Sequence, residues 1–127
     1  MSLAATVATV VAWATAAGII FIGVRFLWTP QRAASDFGLS VTNDARQGGP
    51  WLSVKGVRDI TSGLFLLIGL LGGDAHVLGW MMVAGALTAL GDALITKSGG
   101  GPAAAYYGIH GGTAVVLAGA GAVLLLS

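Results

Sequence analysis

Three titratable residues in this sequence are candidates for catalysis: Asp59, Asp92 and His110. Each lies beside or within a long apolar stretch, and a short acidic side chain cannot reach far toward water from inside a membrane. Two carboxyl groups around Arg58, with an imidazole nearby, could carry out acid–base chemistry such as isomerisation, hydration or epoxide opening. The alternative for His110 is a buried histidine whose hydrogen bonds serve the structure.

Four further residues are candidates for substrate binding: Arg25, Arg58, Tyr106 and Trp51. Either arginine could form an ion pair with Asp92. Tyr106 precedes His110 by one helical turn and would extend a polar stripe on that helix, and Trp51 could cover the site as a lid. Arg25 could equally extend its charge to the membrane surface, and anchoring in the interfacial aromatic belt is favoured for Trp51 over the lid.

Lys55 has two expected roles. It lies one helical turn before Asp59 and could pair with that carboxylate. Like the other basic residues outside the apolar runs, it is also expected to extend its charge to the membrane surface, as are Arg32, Arg46 and Lys97.

We expect no metal and no cofactor. The chain has no cysteine, which excludes thiolate metal sites and disulfides. His76 belongs to the opposite membrane face from His110, so the two histidines cannot share a metal. The six basic residues are spread along the chain without a cluster, which argues against nucleic acid as a partner. No nucleophile motif or cofactor fingerprint is present, so the reaction stays open.

The composition is typical of an integral membrane protein. Hydrophobic residues make up 56% of the 127 residues and charged residues 9%, whereas soluble domains are about 45–50% apolar and about 25% charged. Residues 1–127 are therefore expected to form one membrane domain, with the lipid bilayer as its main partner and no separate soluble domain.

Four apolar segments predict an all-helical bundle with transmembrane helices at about residues 3–28, 55–73, 77–97 and 103–126. Continuous apolar runs favour helices, because lipid requires every backbone group to be paired within its own segment. In three of these spans, the uninterrupted apolar run is only roughly 21 to 24 Å long, against a hydrocarbon core of about 30 Å. These spans must draw their polar ends into the membrane, which places Asp59, Asp92 and His110 there.

The basic residues predict the orientation of the bundle. All six Lys and Arg residues flank either one long loop, at residues 29–54, or the short connection between the last two spans. Because these two connections lie on the same side, the positive-inside rule makes the long loop cytoplasmic and puts both termini outside. The plasma (inner) membrane is the expected location. Within the loop, residues 31–39 could form a short interfacial helix with Ala33, Ala34 and Phe37 on one side.

Several short motifs resemble a known family. The most specific is Lys55-Gly56-Val57-Arg58-Asp59, accompanied by Val24-Arg25-Phe26, Asp36-Phe37-Gly38, Asp92-Ala93-Leu94 and His110-Gly111. Together they resemble the small four-span membrane proteins catalogued as domain of unknown function 4267, allied to the DoxX-like group. The resemblance covers nearly the whole chain. It implies a four-helix membrane fold and brings no settled activity.

Two functions follow from these residues. The first is a site that binds a lipophilic small molecule, or transforms it by acid–base chemistry, and opens to the cytoplasmic leaflet. The second is a structural or assembly membrane protein whose polar residues only lock the helices together. Proton-coupled transport is disfavoured because residues 3–24 contain no charge. A homo-oligomer is left open.

Overall fold

The computed structural model describes residues 1–39 and 49–127, and these residues form helices and turns without a strand. Five α-helices follow one another along the chain: α1 (Leu3–Trp28), α2 (Pro30–Phe37), α3 (Gly49–Gly72), α4 (Ala75–Ser98) and α5 (Gly112–Leu126). A π-helical segment, Ala104–Gly111, leads directly into α5. The all-helical prediction is confirmed for the described residues.

Within residues 1–39 and 49–127, three helical stretches are long and apolar enough to cross a membrane: α1, α4 and the continuous run Ala104–Leu126. They correspond to the first, third and fourth predicted spans. The helix α3 is 24 residues long but is not among the three, and it carries Lys55, Arg58 and Asp59 in its first half. The fourth span therefore stays a prediction.

The predicted loop at residues 29–54 is largely helical where it is described. Thr29 precedes Pro30, whose ring disfavours a helical conformation in the residue before it, so α1 ends and α2 begins at the proline. Gly38, with φ of 110°, ends α2 in a conformation that glycine adopts without strain. The helix α3 starts at Gly49 rather than near residue 55, so the predicted start is wrong. Residues 40–48, including Arg46, lie outside the described residues.

The short helix α2 confirms the amphipathic pattern predicted for this segment. Ala33 and Ala34 are buried, whereas Arg32 and Asp36 are exposed. The buried alanines pack with Phe26 of α1, and Phe37 and Leu52 of α3 lie against the same small cluster. The helix α2 therefore lies against the end of the bundle where α1 ends and α3 begins.

Two pairs of glycines allow the long helices to approach closely. A Cβ added to Gly23 of α1 would lie 2.6 Å from the carbonyl oxygen of Gly56 in α3, and a Cβ on Gly121 of α5 would lie 2.8 Å from that of Gly79 in α4. Backbone contact at such distances leaves no room for any side chain. The resulting antiparallel pairs, α1 with α3 and α4 with α5, have the most extensive contacts in the bundle.

The interior is apolar at one end of the bundle and polar at the other. Small residues of α1 pack against larger ones of α4 and α5 to form the apolar core, which comprises Ala5, Ala8, Ala12, Leu78, Met82, Ala86, Leu117 and Leu124. Buried polar residues lie toward the other end of the bundle, at Asp59 in α3, Thr96 in α4 and His110 in the π-helical segment. The fold therefore confines its buried polar chemistry to the end where α2 packs.

Candidate functional site

Lys55 and Asp59 form an ion pair inside the bundle. They are one turn apart on α3, and the Lys55 Nζ lies 2.9 Å from Oδ2 and 3.3 Å from Oδ1 of Asp59. Asp59 is only 8% exposed. A buried carboxylate requires a cation or hydrogen-bond donors, and Lys55 supplies both. The predicted pairing of Asp59 with the lysine one turn back is confirmed. The other role expected of Lys55, extending its charge to the membrane surface, is not observed, because its ammonium is held in this pair.

The Lys55 ammonium also lies between two aromatic rings. Its Nζ is 4.8 Å from the ring centroid of Phe26 in α1 and 4.7 Å from that of Phe37 in α2. The two rings meet edge to face at 6.2 Å. Ammonium groups at this distance are attracted to ring faces, so Lys55 connects α1, α2 and α3 through one charge.

His110 connects the other half of the bundle to α2. The residue is 6% exposed, and its Nε2 lies 2.7 Å from the backbone carbonyl oxygen of Phe37. A carbonyl oxygen can only accept a hydrogen bond, so Nε2 carries the hydrogen and donates it. The His110 and Phe37 rings also pack together, with centroids 4.1 Å apart. This hydrogen bond fixes the ring and leaves Nδ1 as the second nitrogen of the imidazole.

His110 belongs to the π-helical segment Ala104–Gly111. Most π-helical turns are single bulges within α-helices, and they occur frequently at functional sites. The sequence predicted an α-helix from residue 103 onward, because no residue pattern distinguishes a π-turn from an α-turn. Ala105 and His110 are the buried residues of the segment, so the wider turn faces the bundle at the histidine.

Asp92 completes the site from α4. Lys55, Asp59 and His110 all lie within electrostatic range of its carboxylate, and the four residues are called the polar cluster below. Asp92 is half-buried. Neither an ion pair nor a hydrogen bond joins its side chain to any residue in the described ranges. The three catalytic candidates from the sequence, Asp59, Asp92 and His110, are thus brought together.

The predicted ion pair between an arginine and Asp92 is wrong. Arg25 instead pairs with Asp36 of α2, at 2.7 Å between Nη2 and Oδ2, because α2 packs beside the end of α1. Arg58 is exposed. It follows Asp59 directly, and adjacent residues of a helix point about 100° apart. Since Asp59 points inward, Arg58 points away from the cluster.

The remaining candidates lie outside the polar cluster. Trp51 is exposed in the first turn of α3 rather than in a loop. Tyr106 stacks edge to face on Tyr107 at 4.7 Å, and the Lys97 ammonium lies 5.9 Å from its ring centroid. Among the described residues, neither side chain forms a hydrogen bond or an ion pair with the cluster. Their roles in substrate binding stay predictions.

Thr96 is a buried polar residue that the sequence analysis did not single out. It is fully buried, and its hydroxyl has no hydrogen-bond partner in the described part of the chain. Its methyl carbon packs closely on two glycines: a Cβ added to Gly38 would lie 2.9 Å from it, and a Cβ added to Gly101 would lie 2.5 Å from it. The spacing could have identified it, because Thr96 follows Asp92 by one turn and therefore shares its helix face.

Two comparisons with known proteins give no match, and one gives a family. A family model described as Domain of unknown function (DUF4267) matches residues 16–124. The matched range contains all four residues of the polar cluster and the packing partners of α2. No curated protein and no solved structure matches the chain.

Proposed function

This chain belongs to the DUF4267 family, and we propose that it is a multi-pass membrane protein that binds a lipophilic small molecule at the polar cluster. The alliance with DoxX-like proteins stays a prediction. One observation carries the proposal: Asp92 is a half-buried carboxyl group beside three ionisable side chains, and no described residue donates a hydrogen bond to it. Ionisable groups at membrane depth are expensive and usually functional.

The polar cluster divides into two parts with different tasks. Lys55, Asp59 and the Nε2 atom of His110 bond to one another or to Phe37, which holds α2 against the bundle. Asp92 takes no part in these bonds. A bound molecule with a polar head would therefore meet Asp92 and the Nδ1 side of His110, and these are the groups that could exchange a proton with it. The π-turn at His110 supports the same location.

We further propose that α3 is the fourth membrane span. It packs antiparallel along α1 through Gly23, Gly56 and Gly63. Its second half exposes a row of large apolar residues, Leu64, Phe65, Ile68 and Leu71, which in water would form a costly patch. Its buried charges neutralise each other in the Lys55–Asp59 pair. With four spans, the basic residues gather on one side, and we infer that this side is cytoplasmic.

The test compares small molecules that remain bound after purification. Wild type, Asp92→Asn and a control, Asp74→Asn, are purified in the same mild detergent and extracted for mass spectrometry. Asp74 is exposed at the opposite end of α4, where its side chain accepts a hydrogen bond from the Val77 N–H, and asparagine can make the same cap. We expect one species in wild type and the control that is absent from Asp92→Asn. If all three proteins carry the same species in equal amounts, the cluster holds no ligand and the proposal is wrong.

A second candidate function is a purely structural one, and a specific observation favours it. Lys55 and His110 connect α2 to three other elements through the Phe26 and Phe37 rings and the Phe37 carbonyl oxygen. A structural cluster would make Asp92→Asn lower the thermal stability in detergent without changing any bound species. A binding site predicts the reverse: the bound species changes, whereas the stability of the ligand-free protein stays close to that of wild type.

A further inference from the structure

The hydrogen-bonding roles in the polar cluster leave an excess of acceptors. The Nε2–H of His110 is already donated to the Phe37 carbonyl oxygen, so Nδ1 of the neutral ring can only accept. An ionised Asp92 can also only accept. The ammonium of Lys55 directs its donors to both oxygens of Asp59 and its charge to two aromatic rings. Nothing in the described part of the cluster donates to Asp92.

The cluster also carries a net negative formal charge, which would attract a cation just as the excess of acceptors would attract donors. Lys55 and Asp59 cancel, and an ionised Asp92 leaves the cluster with one net negative charge when His110 is neutral. The arginines of α1 and α3 do not compensate for it, because Arg25 is paired with Asp36 and Arg58 is exposed. An uncompensated charge in apolar surroundings is strongly unfavourable.

A buried hydroxyl beside Asp92 adds an independent indication that a polar group is missing here. Thr96 lies one turn further along α4, is fully buried, and has no hydrogen-bond partner within the described ranges. Buried hydroxyl groups are nearly always hydrogen-bonded in native proteins. An unbonded hydroxyl and an unbonded carboxyl group on one face of one helix indicate that a ligand with polar hydrogens belongs beside them.

From these observations we infer that the ligand is a lipophilic amine, bound as its ammonium ion with Asp92 as the counter-ion. This inference rests on the proposed function and specifies its ligand class. An ammonium supplies three donors and one positive charge, which matches the acceptor excess and the net charge of the cluster. Its apolar part would lie against the large apolar side chains that the helices expose toward lipid.

The test uses three probes with the same alkyl chain and different heads: dodecylamine, dodecan-1-ol and dodecanoate. Their binding to the full chain in dodecyl maltoside micelles is measured by native mass spectrometry and calorimetry for wild type, Asp92→Asn and Asp74→Asn. For wild type and Asp74→Asn we expect dodecylamine to bind about tenfold or more tightly than the other two probes, the effect of one partly desolvated ion pair. In Asp92→Asn this preference should disappear.

Failure of the inference differs from failure of the proposed function. If dodecan-1-ol or dodecanoate binds wild type as tightly as dodecylamine, the ammonium assignment is overturned, while Asp92-dependent binding of any probe still supports a site. If no probe binds in an Asp92-dependent manner, both are wrong. The wild-type comparison does not depend on any variant folding. Addition of phosphatidylethanolamine distinguishes two sources of the amine: displacement of dodecylamine assigns it to a lipid headgroup, and no displacement assigns it to a single-chain amine.

Discussion

The two ion pairs among the described residues provide a test of whether burial, rather than distance, sets their contribution to stability. The exposed pair, Arg25–Asp36, is the shorter at 2.7 Å, and the Asp36 side chain is 61% exposed. The inner pair, Lys55–Asp59, measures 2.9 Å, with side chains 29% and 12% exposed. We expect Lys55→Met to destabilise the fold far more than Arg25→Met, although the bond that it removes is longer.

The expected magnitudes follow from what each substitution leaves behind. Removing one partner of a buried pair costs about 3–5 kcal/mol because the other charge stays buried. Since Lys55 is partly exposed, we expect about 2–4 kcal/mol for Lys55→Met. The lost cation–π attraction, about 0.5–1 kcal/mol, is offset by contacts of the methionine sulfur with Phe26 and Phe37. For Arg25→Met, water replaces the partner of Asp36, and the cost should be about 0–1 kcal/mol.

The assay is reversible unfolding in mixed micelles of dodecyl maltoside and dodecyl sulfate, followed by circular dichroism. A third variant, Lys55→Met combined with Asp59→Asn, removes the stranded charge and should recover most of the loss, to within about 1 kcal/mol of wild type. If Lys55→Met costs no more than Arg25→Met, or if the double variant is less stable than the single one, Asp59 is not held in a desolvated site and the account of the cluster fails.

Two further predictions concern packing. Gly121→Ala should destabilise the fold by about 1–3 kcal/mol, because its Cβ would lie 2.8 Å from the Gly79 carbonyl oxygen. The control, Gly119→Ala, has no atom within 4 Å of its Cβ and should be neutral or slightly stabilising. Equal effects of the two variants in the same unfolding assay would contradict the close contact of α4 and α5. Thr96→Val should raise stability by about 1 kcal/mol, because it replaces an unbonded buried hydroxyl with a methyl group, whereas a loss of stability would indicate that the hydroxyl has a partner.

The ends of the helices could be predicted where local chemistry determines them. The helix α1 extends from residue 3 to residue 28 as expected, because Ser2 caps its first turn and Thr29-Pro30 ends it. The start of α3 differs from the prediction because a proline after two glycines is as typical of a loop as of a helix start. Proline is favoured in the first turn of a helix, where its missing N–H leaves no bond unmade, and α3 begins one residue before it.

The close contacts between helices could not be predicted, although their chemistry could. A chain with 21 glycines contains many small-residue spacings, and any of them permits a close approach. Only the rotation of each helix about its axis selects Gly23 with Gly56 and Gly79 with Gly121. That rotation depends on all the packed side chains together, which no local pattern records.

The lengths of the apolar runs predicted the right residues in one layer but not the right partners. Asp59, Asp92 and His110 lie at the same end of the bundle, as the polar ends of the predicted spans indicated. Helical geometry could have corrected the arginine: Lys55 and Asp59, four residues apart, are neighbours on one face, whereas Arg58 and Asp59, adjacent in the chain, do not face the same way. The partner of His110 was beyond reach, because it is the backbone carbonyl oxygen of Phe37, a group that every residue possesses.

A buried ionisable residue in a membrane protein is usually taken as a sign of function, and this cluster requires a narrower criterion. Lys55, Asp59 and His110 are the more deeply engaged residues, yet their bonds to one another and to Phe37 account for their burial. Asp92 is half-buried, and its carboxyl group has no bond within the described ranges. Because bonds among the described residues compensate the first three and not Asp92, selection for stability alone would favour an apolar residue at position 92. A carboxyl group that stability does not require is the one whose presence calls for a ligand.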